Sequence, residues 1–152
     1  MASSVYDAAG GAPAFLALAQ AWHDRCLEDP VLNHPFSNPG HPLHLERLAA
    51  YWGEALGGPA AYTQELGDHS DVLRMHAGNG EHQDLDDRAQ VCFARAIEDA
   101  DLPADERLRS TLRGYFQWVT AEMSDYPDSP DDVPAGLAVP RWSWDGPVSA
   151  GR

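Results

Sequence analysis

Apolar residues recur at three- and four-residue steps in four stretches of the chain, and no strand-like alternation persists anywhere. After the Gly10-Gly11 break, Pro13 stands where a first helical turn accepts it, and Phe15, Leu18, Trp22 and Cys26 form one stripe. Glu28-Asp29-Pro30 ends this first predicted helix. The connector that follows, VLNHPFSNPGHP, is rich in proline and reads as a turn-laden corner with Phe36 as its main apolar residue. A second helix is expected from about His41 to Leu56, with Leu45, Leu48, Tyr51, Trp52, Ala55 and Leu56 on its apolar face. Gly57-Gly58-Pro59 stops it.

Residues 60–80 read as irregular, except that Asp68-His69-Ser70 suits the cap of a short helix through Val72, Leu73 and His76. A third long helix is predicted over Gln83 to Ala100, buried through Leu85, Ala89, Cys92, Phe93, Ala96 and Ile97. The fourth is expected to start at Pro103-Ala-Asp-Glu, whose acids complement a helix N-terminus, and to bury Leu108, Leu112, Tyr115, Phe116, Val119 and Met123. Beyond Ser124, five prolines preclude a continuous helix. The expected organisation is therefore a helical domain over 1–124 and a Pro-rich tail over 125–152, docked locally by Trp142 and Trp144.

Charge narrows the set of partners. Twenty-four acidic residues against ten basic ones, all arginine, give a net charge of −14 and a pI near 4.6. Such a surface repels phosphate and anionic lipid, so neither nucleic acid nor an acidic membrane is an expected partner. Cys26 and Cys92 lie far apart in sequence with no CxxC spacing, which suggests neither a disulfide framework nor a zinc site. The first residues lack the basic stretch and apolar run of a secretory signal, and no stretch reaches the ~18 apolar residues that span a bilayer. A soluble protein of a reducing cytoplasm is the expectation.

Seven histidines carry most of the candidate chemistry. His76 ends the segment LRMH just before the breaker AGNG, a position that by itself suits a surface or capping role better than ligation. His44 falls on the apolar face of the second helix, one turn before Leu48, and reads either as a core histidine bonded to a carbonyl or as a group that meets a ligand. His23, beside Trp22, either faces water at the boundary or shares that interior space. His41 and His44 have a separation that lets two imidazoles approach one metal, but no third ligand stands at a defined spacing. HExxH, GxSxG and a Gly-rich phosphate loop are all absent, which removes the apparatus of a zinc peptidase, a serine hydrolase or a nucleotide-binding protein.

Together, YDAAGG at 6–11, EDPVL at 28–32, Phe36 in the corner, LGGPAAY at 56–62 and LRMH at 73–76 resemble the truncated haemoglobins. The likeness runs from residue 6 to about 123 and is nearest to group II, while HLERLAAYW at 44–52 is similar to group III. The resemblance implies an all-α, globin-like, two-over-two helical sandwich with a C-terminal extension. It implies haem b (iron protoporphyrin IX) as cofactor, His76 as the proximal iron ligand, and Phe36 and Leu48 as apolar contacts of the porphyrin. His44 matches the distal position, His23 stands where the family has a first-helix tyrosine, and Gln90 stands where it has a tryptophan.

Reversible binding of dioxygen or another small gaseous ligand is the function so implied. The alternatives are a haem-dependent redox enzyme, oxidising nitric oxide with the help of a reductase or turning over peroxide, or a non-haem helical module that binds a metal or a partner. Two distal histidines also allow His44 or His23 to close the iron site.

Overall fold

The computed structural model describes residues 4–29, 44–65, 83–124 and 139–148. A short helix, α1 (Val5–Ala9), opens the fold. Its N-cap is Ser4, whose Oγ accepts the N–H of Asp7 at 3.1 Å. Gly10 ends it in the left-handed conformation, at φ 119°. The chain then enters α2 (Ala12–Glu28), with Pro13 in the first turn as the sequence predicts. Phe15, Leu18, Ala19, Trp22 and Cys26 are its buried stripe.

The second long helix, α3, spans His44–Ala55; residues 41–43, where the periodicity begins it, lie outside the described residues. Its C-terminal end is fixed to α1. The Tyr6 N–H donates to the Leu56 carbonyl at 3.0 Å, and the Tyr6 ring lies against Gly53 and Gly58. A Cβ at Gly58 would come within 2.6 Å of that ring and 2.8 Å of the Gly53 carbonyl, so the LGGP turn depends on glycine here for space.

Another short helix, α4 (Ala61–Glu65), follows, where the sequence reads as irregular. Its first turn is tied to α3 by Glu54, a buried carboxylate that accepts the Thr63 N–H at 2.9 Å and the Thr63 hydroxyl. This support comes from another helix and leaves no local periodicity to read. The short helix expected through Val72, Leu73 and His76 lies outside the described residues, as do Leu85 and Met123 as core side chains.

The second pair of long helices is α5 (Gln83–Asp99) and α6 (Glu106–Ser124). The last begins three residues later than Pro103: Asp105 Oδ1 accepts the Leu108 N–H at 3.1 Å and so acts as the cap. Arg109 braces the turn between them, donating to the carbonyls of Pro103 at 3.1 Å and Leu102 at 2.9 Å.

Helix α2 packs on both α3 and α5, and α5 packs on α6. One aromatic from each long helix meets at the centre. Trp22 and Trp52 cross edge-on at 5.7 Å, Trp52 and Phe93 at 5.3 Å, and Phe93 stacks on Phe116 at 4.2 Å.

The C-terminal segment adds a small hairpin, β1 (Trp142–Ser143) paired antiparallel with β2 (Gly146–Pro147). Strands of two residues are too short to show alternation, which is why the sequence predicts none. The docking expected of the two tryptophans is present. Trp142 lies 5.4 Å from Trp118 and 6.2 Å from Tyr115, and the Arg107 guanidinium sits 4.8 Å over the Trp144 ring. Val139 is buried just ahead of it. Among the described residues, no helix is long and apolar enough to cross a membrane.

Candidate functional site

A half-buried hydrogen bond is among the contacts that join α2 to α5: the Trp22 indole N–H donates to the Ala89 carbonyl at 3.1 Å. The residues that follow each partner are His23 and Gln90, so this contact brings two of the sequence-predicted site residues to the same helix crossing. His23 is half-buried and its Nδ1 is sealed from solvent. The Gln90 amide donates to Thr120 Oγ1 on α6 at 3.3 Å, and that hydroxyl donates in turn to the Gln117 carbonyl at 3.0 Å.

On α3, Leu48 is half-buried and packs with Leu45 against the core. His44 opens this helix, one turn before Leu48, with its side chain outside the described part of the structure. Phe36, His41 and His76 lie outside the described residues altogether. Among the described residues there is no group of three His, Cys, Asp or Glu side chains able to hold a metal.

Several features of this region escape a reading by periodicity. Arg47 places its guanidinium 5.7 Å from the centre of the Tyr62 ring, and Tyr62 meets Tyr51 edge-on at 5.5 Å. Tyr115, fully buried on α6, has no hydrogen-bond partner for its hydroxyl among the described residues. Burial, reinforced by Tyr51, pushes its phenol well above the usual range. Cys26 and Cys92, distant in sequence, are buried side by side as free thiols. Exact helix-to-helix register decides such neighbours, and the spacing within one helix does not reveal it.

The sequence profile of the Bacterial-like globin family matches residues 4–123. The chain is a bacterial-like globin. Solved truncated haemoglobins share its fold. The thermostable haemoglobin of the actinobacterium Thermobifida fusca is 27% identical, with a TM-score of 0.66 over 82% of this chain and 99% of that one. The haemoglobin of the thermophilic phototroph Chloroflexus aurantiacus is 22% identical, at 0.68 over 82% of this chain and 100% of its own. The group II 2-on-2 haemoglobin of Agrobacterium tumefaciens is 21% identical, at 0.65 over 82% and 95% respectively.

As a globin, the chain is a haem-binding protein. The described residues fit such a group. Leu45 and Leu48 give α3 an apolar, incompletely covered face suited to a porphyrin, and His23 holds a solvent-shielded imidazole nitrogen on the neighbouring helix. Helix α6 runs to Ser124, and Trp142 of the hairpin packs against Trp118 on it.

Proposed function

We propose that this globin reversibly binds a small diatomic gas, dioxygen foremost, at haem b. The observation that carries the reading is the family match over 4–123, a segment that includes every residue given a role below. Haem supplies the iron at which the gas is held and released. His76 would hold the iron through its imidazole. Phe36 and Leu48 provide apolar burial, and the water excluded by such walls protects the site from oxidation.

His23 and His44 supply imidazole N–H donors on the distal side. The half-buried position of His23 beside the Trp22–Ala89 contact supports this role, because a donor held by packed neighbours is preorganised. Gln90, engaged with Thr120, sets the edge of the same space. Residues 1–124 form the gas-binding domain and 125–152 an added tail. The working setting is the cytoplasm, where a reductase keeps the iron ferrous.

The test is spectroscopic. Purified protein supplied with haem should show a Soret band, and its ferrous form should take up dioxygen and release it on purging with argon. His76→Ala should lose haem or hold it much more weakly. Folded protein that stays colourless with added haem would refute the proposal, and so would haem retention unchanged in His76→Ala. Rapid conversion of the oxygenated protein to the ferric form by nitric oxide would shift the reading from carrier to enzyme.

A further inference from the structure

The geometry points to a second reactive site in this globin: Cys26 and Cys92 form a redox-convertible dithiol that a hydroperoxide turns into a disulfide joining α2 to α5. These are the two cysteines of the chain. They come from the facing stripes of two helices in direct contact, with Cys26 fully buried and Cys92 6% exposed. Cys26 and Cys92 are near enough across the α2–α5 contact for each thiol to perturb the other. Salt bridges lie on either side of the pair. Arg25 grips Asp99 through contacts of 2.6 and 2.9 Å, and Arg88 reaches both carboxylate oxygens of Asp29 at 3.2 Å. The helices are thereby held in register at the level of the thiols.

The two sulfurs differ in a way that orders the steps. Burial raises both thiols above the ordinary range, and Asp29 adds to it at both, but at Cys92 the neighbouring Cys26 thiol and the charges of Arg95 and Arg25 work the other way. Cys92 is also the more accessible. Its Sγ therefore attacks the peroxide: an S–O bond forms, the O–O bond breaks, and the departing hydroxide takes a proton to leave as water. Cys26 then attacks the Cys92 sulfenic sulfur, the S–S bond forms, and the second hydroxide leaves as water with the Cys26 proton. Two thiols lose two electrons in all, and hydrogen peroxide accepts them. Because both groups stay protonated in the resting protein, the conversion is slow and answers sustained oxidant. The bond would fix α2 to α5 within one helical turn of both His23 and Gln90.

The experiment uses the full chain and hydrogen peroxide, followed by thiol titration under denaturant. The expected result is a fall from two thiols to none, with a mass loss of about 2 Da, a single peptide joining Cys26 to Cys92, and a Tm raised by several degrees. Dithiothreitol should reverse all of these. In Cys26→Ser, Cys92 should accumulate sulfenic and sulfinic acid, whereas in Cys92→Ser the Cys26 thiol should persist. Two thiols surviving peroxide, sulfinic acid in the unsubstituted protein without an S–S link, or disulfide-bonded dimers would each overturn the inference. None of these readouts depends on haem or gas binding, so the outcome stands apart from that of the proposed function.

Discussion

Glu54, buried in the last turn of α3, receives the backbone N–H of Thr63 at 2.9 Å and the Thr63 hydroxyl as well. One carboxylate thus caps a five-residue helix that would be too short to persist by itself. Thr63→Val keeps the side-chain shape and removes the hydroxyl, leaving one carboxylate oxygen with one donor fewer in a buried setting. The expected cost is about 1–3 kcal/mol, read from urea denaturation. Glu54→Ala removes both bonds and should cost more than Thr63→Val.

At Tyr115 the opposite sign is expected. Its ring is packed in the core against Trp142, but its hydroxyl is buried without a hydrogen-bond partner among the described residues. Tyr115→Phe keeps the packing and relieves that desolvated group, so stability should be unchanged or higher by up to about 1 kcal/mol. A clear loss of stability in thermal denaturation would mean that the hydroxyl is satisfied by a buried water.

The long helices could be read directly from the sequence because each buries a stripe at three- and four-residue steps: Phe15 to Cys26 on α2, Tyr51 to Leu56 on α3 and beyond, Leu108 to Val119 on α6. What escaped depends on contacts between distant segments. The helix α4 exists because Glu54 caps it, the start of α6 is set by Asp105, and the Cys26–Cys92 pair follows from how α2 lies on α5. In the candidate site, His23, Leu48 and Gln90 are half-buried on three different helices. Their partners, such as Thr120 for Gln90, arise from packing that no single-helix pattern encodes.

The Arg25–Asp99 pair makes a pH-dependent contribution whose sign follows from its shift. The hydrogen bond from Arg25, ahead of its charge, holds the Asp99 carboxyl below its ordinary range. A carboxyl depressed in the folded state stabilises above the unfolded value near 4 and loses that contribution as pH falls through the folded value. Asp99→Asn should therefore lower Tm at neutral pH and flatten its decline below about pH 4. Both partners are solvent-accessible, so raising the salt concentration should shrink the difference.

His23 offers the most direct probe of gas binding. In the proposed site its imidazole donates a hydrogen bond to the bound gas, and dioxygen, which draws negative charge from iron, gains most from such a donor. A charge-assisted bond of this kind contributes roughly 1.5–3 kcal/mol. His23→Leu keeps a side chain of similar bulk without the donor, and should speed dioxygen dissociation about ten- to a hundredfold. Carbon monoxide carries little charge, so its dissociation should change far less. Stopped-flow displacement of each gas provides the comparison. Equal acceleration of both gases would indicate a steric role for His23, and unchanged rates for both would move the distal donor to His44.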